Sequence, residues 1–460
     1  MSKSFLRIFT RSAFVLLIVT SPLFAETNGA KDIGKNLDLL LDQIAGPVPL
    51  GNEWQLKGGG ESRYRFELRD DFNLNDGAYE DDALNLLRNR YSLDLKRKQT
   101  EGLSVDFFAE GQDAHSFAQS EVNKTNTFVN ELDLRQLSAE FGHPVKGIPL
   151  NIKVGRQELS YGDERFVGPS NWTNTGRVFD AVKLFFPPDG WFRFDMFFAR
   201  GVRNEKEKPD ESVHADNFYG IYGTLTKLQD HVLDAFLFIR HNRDRGTAGE
   251  KSGGFGQLKE YTFGNRFKGK KFGFDYGTEY ALQFGSRAHD SIEAWAIHQE
   301  IGYTFSKTFW TPRLFSEFNH ASGDRNPTDG VYSTFDNLFP SNHDKYGVMD
   351  LFSLKNMNET RGGINLKPCA KLSLTSDFHW FFLDAKESAW FNASGGVFRA
   401  ANPSADTQLG EEIDLLGVYK LTQHLNLLMG YSHFFAGPFA KDTGTHDDAN
   451  FFYSQIALKV

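Results

Sequence analysis

Arginine recurs at every second position in short segments of this chain. Residues 63–69 read Arg-Tyr-Arg-Phe-Glu-Leu-Arg, and residues 87–96 read Leu-Arg-Asn-Arg-Tyr-Ser-Leu-Asp-Leu-Lys. A guanidinium offers a carboxylate a planar fork of charge-assisted hydrogen bonds. Because a β-strand turns successive side chains to opposite faces, each segment predicts a strand with one apolar and one charged face. The chemistry indicated is recognition of anions along the charged face.

The apolar faces of these strands can meet a protein core or a lipid. A soluble β-sandwich would bury them, whereas a membrane barrel turns them to lipid and the charged faces to a water-filled lumen. Residues 1–25 predict a secretory signal peptide: Lys3, Arg7 and Arg11 precede an apolar core at residues 12–20. That core is too short for a transmembrane anchor.

The composition favours the barrel. No later stretch approaches the about 20 apolar residues of a spanning helix, and the mean hydropathy is −0.45. The chain has 45 phenylalanines and 43 glycines, and 15% of its residues are aromatic, which suits a strand-rich barrel with aromatic girdles. The net charge of −9 does not favour a nucleic-acid partner. Because the chain has 1 cysteine, no internal disulfide is expected.

The strand pattern divides the chain into three parts. After the signal peptide, residues 26–55 form a periplasmic leader with a short helix near residues 33–44, and residues 56–460 form an all-β, antiparallel, up-and-down transmembrane barrel. Candidate strands number slightly more than the even total such a barrel should have, so about 18 are expected. They include residues 348–355 and a closing strand at residues 450–460. Long polar loops alternate with tight turns at residues 70–85, 113–130, 160–175, 202–216, 242–257, 321–347, 384–408 and 437–449.

The most distinctive run extends from Gly155 to Asp180. It is polar, is broken by glycine and proline, and carries an arginine near each end. With four other segments it resembles the alginate-export family of outer-membrane β-barrels. Those segments are residues 130–137, 322–327, 334–340 and 356–368.

The resemblance implies an 18-stranded outer-membrane barrel with an arginine- and lysine-lined pore that exports an anionic polysaccharide. By position, the implied pore residues are Arg88 or Arg90, Arg135, Arg156 and Arg361. Strand phase adds Arg177 and Lys183 to the same set. Scattered cations also suit the physics, because a polymer with one carboxylate per sugar must bind weakly at many sites in order to move. The alternative is that these charges form ion-pair ladders that only pack a barrel interior.

Other functions find less support. A substrate-specific porin for small anionic solutes such as sugar acids is the second hypothesis, and a soluble carbohydrate-binding β-protein is another. A barrel enzyme would need a Ser/His pair, and Ser170 lacks the second glycine of a nucleophile elbow. Four aspartates in one loop lack the spacing of a calcium site: Asp324, Asp329, Asp336 and Asp344.

The sequence therefore predicts a channel without catalytic residues, metal or cofactor. Its expected partners are an anionic polysaccharide or oligosaccharide, outer-membrane lipid and periplasmic export components. The leader would either plug the periplasmic mouth or bind such a component.

Overall fold

A computed structural model describes residues 30–75, 82–100, 102–117, 125–186, 191–250 and 254–460. Eighteen long strands run antiparallel around a closed barrel, which confirms the predicted fold class. In chain order they are β1 Trp54–Asp70, β2 Asp82–Thr100, β3 Leu103–Ser116, β4 Asn130–Val145, β5 Ile148–Gln157, β6 Phe179–Phe186, β7 Phe192–Arg203, β8 Glu211–Leu225, β9 His231–Ala248, β10 Phe255–Lys271, β11 Phe274–Arg287, β12 Asp290–Thr304, β13 Arg313–Ala321, β14 Met357–Cys369, β15 Leu372–Phe382, β16 Gln408–Lys420, β17 Leu425–Ala436 and β18 Ala449–Lys459.

Closure occurs between the two terminal strands. β18 pairs with β1 in antiparallel register, with Ile456 opposite Tyr64 and Phe452 opposite Leu68. In the bilayer core each unpaired backbone N–H or C=O costs several kcal/mol, because no water is there to form the missing hydrogen bond. A closed ladder leaves no open edge, so the strand predicted at the end of the chain is the one that completes the wall.

The two faces of each strand separate as the alternation predicts. On β11, Leu282 is 47% exposed and Phe284 is 50% exposed, while Ala281 and Gln283 are buried. On β9, the apolar Leu233 points outward and Asp234 points inward, where it is 1% exposed. The apolar face therefore meets lipid, and the interior face carries both the charged residues and a set of large aromatic residues.

One predicted strand is wrong. Residues 348–355 lie in the long connection between β13 and β14, and they form no strand. Both faces of the segment are buried. Its apolar side chains are at most 3% exposed at Val348, Met349, Leu351 and Phe352. An apolar run buried inside the barrel has the same composition as a wall strand, and this similarity misled the prediction.

The connections differ between the two ends of the barrel. At one end most are tight, such as residues 146–147, 272–273 and 370–371. The long connections are all at the other end, where the two-residue link 288–289 is the exception. Those that the structure describes in full include residues 158–178, 322–356, 383–407 and 437–448. Because both ends of the barrel wall lie at the tight-turn end, that end corresponds to the periplasmic side of such barrels.

The long connections fill much of the interior. Phe166 lies against the wall residue Phe236, with ring centroids 5.5 Å apart, and Phe352 stacks on Phe381 at 3.6 Å. Short strands in these connections span Val331–Tyr332, Trp390–Phe391 and Val397–Arg399, and a helix, α2, spans Pro438–Thr443. These loops give the barrel an internal hydrophobic core that a water-filled tube would lack.

A helix and a short strand precede the barrel. The helix α1 spans Ala30–Ala45, and the strand Val48–Leu50 pairs with the start of β1. Asp42 accepts a hydrogen bond of 2.7 Å from Gln423 Nε2 and lies 3.0 Å from His424 Nε2, so α1 contacts the β16–β17 turn. The predicted signal peptide at residues 1–25 lies outside the described residues. No helix in the described parts of the chain is long and apolar enough to cross a membrane.

The lipid-facing assignment makes a quantitative prediction at Leu415. This residue lies midway along β16, points outward and is 48% exposed. Leu415→Arg should lower the free energy of unfolding by about 2–4 kcal/mol, the cost of an arginine near the bilayer midplane. Urea unfolding in phospholipid vesicles measures this change. Leu415→Ala is the size control, and equal stability of the two variants would contradict a lipid-facing position.

Candidate functional site

The connection between β5 and β6, residues 158–178, enters the lumen and is called here the inner loop. Tyr161 and Val167 pair across it, and Val167 also pairs with Phe339 of residues 322–356, called here the second loop. Gly176 has φ 73°, and an added Cβ there would lie 2.8 Å from Arg90 Nη2 and 3.0 Å from Arg135 Nη2. The positive φ favours glycine at this position, and a side chain there would also have to displace the two guanidinium groups.

Two arginines of β1 hold the middle of the inner loop by its carbonyl groups. Arg63 donates from Nη1 to Asn171 O at 2.9 Å and from Nη2 to Thr173 O at 3.2 Å. Arg65 donates from Nη1 to Trp172 O at 2.8 Å. Buried carbonyls must find donors, and an irregular loop offers few from its own backbone. The wall arginines therefore replace the hydrogen bonds that water would otherwise supply.

Two arginines of β2 repeat this arrangement. Arg88 donates from Nη1 to Asn171 O at 2.9 Å and to Thr173 O at 3.0 Å. Arg90 donates to Asn171 Oδ1 at 2.7 Å and to Thr175 O at 3.1 Å. Since alternate residues of a strand share a face, both arginines reach the same side of the lumen. The paired alternation seen in the sequence thus becomes a cluster of four guanidinium groups around one loop.

The arginines differ in their acidic partners. Arg88 pairs with Glu61 at 2.5 Å, and Arg135 pairs with Glu110 at 2.7 Å and Glu158 at 2.6 Å. Arg63 and Arg90 have no carboxylate within 4.0 Å among the described residues. Their charges are met only by carbonyl and amide oxygens. Removing the loop would take away every hydrogen-bond partner described for Arg63 and would leave Arg90 with Gln112 of β3.

Trp172 joins the inner loop to both the wall and the second loop. The guanidinium carbon of Arg65 lies 3.7 Å from the centroid of its ring. His343 of the second loop stacks on it, with ring centroids 3.5 Å apart and planes 5° apart. A cation over an indole ring in a dry setting contributes about 2 kcal/mol. Trp172 therefore fixes the inner and second loops in one position.

The first half of the inner loop binds the opposite wall through charges. Arg165 lies 3.1 Å from Glu317 Oε1 and 3.3 Å from the Tyr346 hydroxyl. Burial acts to lower the pKa of Arg165, but Tyr346 and Glu317 outweigh it and raise that pKa, so the side chain stays charged. An arginine kept charged in this way ties the loop to β13 through a buried ion pair.

Asp163 continues this link towards the tight-turn end. It pairs with Arg266 and with Lys268, each at 2.9 Å. Burial acts to raise the pKa of Asp163, but Arg266 and Lys268 outweigh it and hold the pKa below its ordinary value. The carboxylate is therefore ionised at neutral pH and completes the attachment of the loop.

Below the inner loop, a cavity of about 490 Å³ remains open along β10–β14. Its wall carries both signs of charge, including Lys268 with Glu300 at 2.9 Å and Arg361 with Glu317 at 3.4 Å. A larger cavity of about 1160 Å³ lies at the tight-turn end of the same strands. The two cavities share the lining residues Lys268, Glu300, Arg313 and Asn365.

The larger cavity has an excess of cations. It is lined by Lys270, Lys271 and Lys367, all exposed. None of these three lysines has a carboxylate within 4.0 Å in the parts of the chain that the structure describes. The cavity at the turn end thus presents free ammonium groups next to a route that leads up to the inner loop.

The profile of the family described as "Alginate export" matches residues 54–454. The chain belongs to the alginate-export family. This match confirms the resemblance seen in the sequence, and it covers nearly the whole barrel. No curated protein sequence matches the chain.

Solved barrels from Pseudomonas aeruginosa have the same fold as this alginate-export family member. OpdK, solved with vanillate, has a TM-score of 0.58 at 7% identity over 88% of this chain and 98% of its own. OpdP has a TM-score of 0.57 at 10% identity over 90% of this chain and 93% of its own. OpdH has a TM-score of 0.55 at 11% identity over 88% of this chain and 98% of its own. Family and fold are those of outer-membrane channels, and the protein is located in that membrane.

The structure brings only some of the predicted pore residues together. Arg88, Arg90 and Arg135 meet at the inner loop rather than at an open lumen. Arg361 lines the smaller cavity, pairs with Asp377 and donates to Asp344 O at 3.2 Å. Of the residues implied by the alginate-export resemblance, Arg361 thus lines one of the two cavities described above.

Arg177 and Lys183 lie elsewhere in the interior. Arg177 belongs to the inner loop and donates to Gly168 O at 3.1 Å and Pro340 O at 2.8 Å. Burial, together with nearby Arg240, lowers the pKa of Arg177 to about 10. Lys183 on β6 lies 3.7 Å from Asp195. Both side chains hold neighbouring elements in place.

Arg156 lies on the outer face of the barrel. In register it is opposite Leu137, which is 53% exposed, and opposite Asp180, to which it donates at 2.8 Å. Its strand neighbour Val154 is also an exposed outward residue. The resemblance placed Arg156 in the pore, but the alternation of β5 turns it away from the lumen.

Several interior cations were not predicted as site residues. Arg63 and Arg65 share the alternation of Arg88 and Arg90, so strand phase alone could have added them. Arg266, Lys268 and Lys270 occupy alternate positions of β10, so the same alternation places them on one face. Arg165 gave no signal, because its position depends on how an irregular loop folds.

Two of the four aspartates that lack calcium-site spacing form ion pairs with cationic side chains. Asp336 pairs with Arg240 at 3.2 Å, and Asp344 pairs with Lys345 at 3.3 Å. Among the described residues no three His, Cys, Asp or Glu side chains are grouped so as to hold a metal ion.

The arginine–carbonyl contacts predict the effect of removing them. In an Arg63→Ala, Arg90→Ala variant Thr175 O loses its arginine donor, which costs about 1–3 kcal/mol. Asn171 O and Thr173 O each lose one of two donors and keep Arg88. The inner loop should then leave the lumen more often, and single-channel conductance in planar bilayers should rise. Lys227→Ala, in a tight turn, is the control. Unchanged conductance in the double variant would show that these bonds do not hold the loop.

The ion pairs of Asp163 predict that the inner loop detaches from the wall at acid pH. A carboxylate with a lowered pKa contributes stability above its ordinary pKa of about 3.9, and that stability is lost as pH falls through the lower folded value. Conductance should therefore be steady from neutral pH to about pH 5 and rise below about pH 4. Asp163→Asn should show the raised conductance already at neutral pH, with a smaller acid step. Asp244→Asn, on an exposed strand end, should behave as wild type, and an identical acid step in both variants would contradict the assignment.

Proposed function

We propose that this barrel conducts an acidic polysaccharide, of the polyuronate kind named in the family description, from the periplasm outward. The observation that carries this proposal is the lysine-rich cavity at the tight-turn end, which shares four wall residues with the cavity beneath the inner loop. The periplasmic position of that end makes its free ammonium groups the first charges an exported anion would meet.

The lysines suit capture rather than tight binding. Lys270 and Lys367 are exposed and lack carboxylate partners in the described residues, so water and salt screen them. An exposed ion pair contributes about 0.2–1 kcal/mol. A polymer with one carboxylate per sugar could then bind several such sites at once and still slide from one to the next.

Deeper in the route, each cation already has an acidic partner. Lys268 has Glu300 and Asp163, and Arg361 has Glu317 and Asp377. A passing carboxylate would share these cations with their resident partners, so no bare charge is left behind it. This exchange keeps the interaction weak in a region where desolvation is costly.

Under this proposal the predicted pore residues divide into two roles. Arg361 would contact the substrate, because it lines the smaller cavity. Arg88, Arg90 and Arg135 would act by positioning the inner loop, and they would face the substrate only where the loop has moved. Arg177 and Lys183 would keep neighbouring elements in place, and Arg156 would take no part.

A second candidate is a substrate-specific channel for small anionic solutes such as sugar acids. The observation that favours it is the size of the smaller cavity, about 490 Å³, which lies within the range of small-molecule sites. The presence of vanillate, a carboxylate, in the solved OpdK structure is consistent with this candidate.

Planar bilayers test the proposal. Wild-type channels should favour anions over cations, and polyuronate added on the periplasmic side should reduce the current. A Lys270→Gln, Lys367→Gln variant should need about fivefold more polymer for the same block, if each lysine contributes about 0.5 kcal/mol. Lys227→Gln, Lys371→Gln removes two lysines elsewhere at the same end and is the matched control.

The outcomes separate the candidates. Block by long uronate oligomers that strengthens with chain length supports polymer transport. Liposome swelling with monomeric sugar acids and no length dependence would favour the small-solute channel. Cation selectivity with no effect of polyuronate would contradict both.

A further inference from the structure

Cations also lie on the outer face of β7–β10, at the end that carries the long loops. Arg200 on β7 and Lys259 on β10 each lie two residues beyond an aromatic residue of the same face, Phe198 and Tyr261 respectively. With Arg243 they are called here the outer cation cluster, and His214 lies beside them. The conduction route does not use it, since it faces away from the lumen.

Strand register makes these residues neighbours. Arg200 is opposite Asn217, Asn217 is opposite His241, and His241 is opposite Lys259. Three steps of about 4.8 Å between strands place Arg200 and Lys259 about 14 Å apart along this row. The cluster is therefore a continuous patch across four strands rather than a set of isolated side chains.

Hydrogen bonds hold the patch in place. Arg200 donates from Nε to Asn217 Oδ1 at 3.0 Å, and its Nη1 lies 3.1 Å from His214 Nδ1. Arg243 donates from Nη2 to His214 O at 3.2 Å. Because Arg200 uses only part of its five-donor fork, it keeps donors for a further ligand.

The cluster lacks acidic partners of its own. In the described ranges, Arg200, Arg243 and Lys259 have no carboxylate within 4.0 Å. Two carboxylates of neighbouring strands are engaged by other cations: Arg156 donates to Asp180 at 2.8 Å, and Glu211 pairs with Lys208 at 3.4 Å. The positive charge on this face is thus free to attract an anion from outside the protein.

Aromatic residues set the height of the cluster in the membrane. Phe198 packs on Tyr219 at 5.1 Å, and Tyr261 stacks on Phe284 at 5.2 Å, all on the outer face. Phe284 lies ten residues from Phe274 along β11, about 33 Å of strand, which at a tilt of about 40° spans about 25 Å, the height of the apolar band. Residues two positions beyond the upper aromatics therefore reach the headgroup level of the outer leaflet.

We propose that the outer cation cluster binds the phosphate groups of the phosphorylated glycolipid of the outer leaflet. A guanidinium matches phosphate geometry with two parallel hydrogen bonds, and an ammonium adds a point charge. Arg200 and Lys259 lie over the rings of Phe198 and Tyr261, at 5.4 Å and 5.5 Å. These rings support the cations from the lipid side and leave their charged ends at the headgroups.

The test uses the full-length protein in detergent and native mass spectrometry with bisphosphorylated lipid A. An Arg200→Gln, Lys259→Gln variant should bind it about tenfold more weakly than wild type. Lys227→Gln, Lys371→Gln, which removes two cations at the opposite end, should bind as wild type does. Heat-modifiable migration and an unchanged single-channel conductance show that the variants are folded.

Lipid variants make the outcome specific. Dephosphorylated lipid A should bind weakly to wild type and equally to both variants. Equal binding of bisphosphorylated lipid A by wild type and the Arg200, Lys259 variant would overturn the proposal. So would equal affinity of wild type for phosphatidylglycerol, because the cluster would then attract any anionic lipid.

Discussion

The interior of this barrel depends on satisfying backbone carbonyls away from bulk water. The wall does so by closure, because every strand has two neighbours. The inner loop cannot satisfy its carbonyls by strand pairing, since residues 169–176 form neither helix nor strand. Arg63, Arg65, Arg88 and Arg90 supply the missing donors. A buried carbonyl without a partner costs about 1–3 kcal/mol, so four guanidinium groups around one loop decide whether it can stay in the lumen.

This requirement divides the lumen into sectors with different chemistry. On β1–β4 the arginines are occupied by the loop, so little positive charge remains there for a solute. On β7–β9 the wall is aromatic, and Phe197, Phe218 and Phe238 form a dry core with the loops. Open space remains along β10–β14, where Lys268, Arg313 and Arg361 line the cavities. These two cavities, whose walls carry both signs of charge, thus lie on one side of the barrel, away from the arginines that the loop occupies.

Much of the fold could be predicted from the sequence, because the period of two in strands such as β2 and β15 reports directly which face meets lipid. The interior could not be predicted in the same way. Residues 348–355 are apolar like a wall strand, and only their burial on all sides distinguishes them. Arg88 and Asn171 are 83 residues apart, and no local pattern links a strand arginine to a distant loop carbonyl. Arg156 shows the converse, since local alternation contradicts the position that family resemblance implied.

The same residue type has three environments in this barrel, and the environment decides what each arginine can do. Arg63 lies in the buried interior, where its guanidinium donates hydrogen bonds to backbone carbonyls of the inner loop. Arg361 meets the carboxylates of Glu317 and Asp377 beside a cavity, and both of these partners are acidic side chains of the wall. Arg200 meets neither, because it projects from the outer face just beyond the aromatic band. Net charge, −9 for the whole chain, describes none of these settings. Whether an arginine contacts the inner loop, a cavity or the outer surface therefore follows from which face of which strand carries it, and strand parity is the property through which sequence controls that placement.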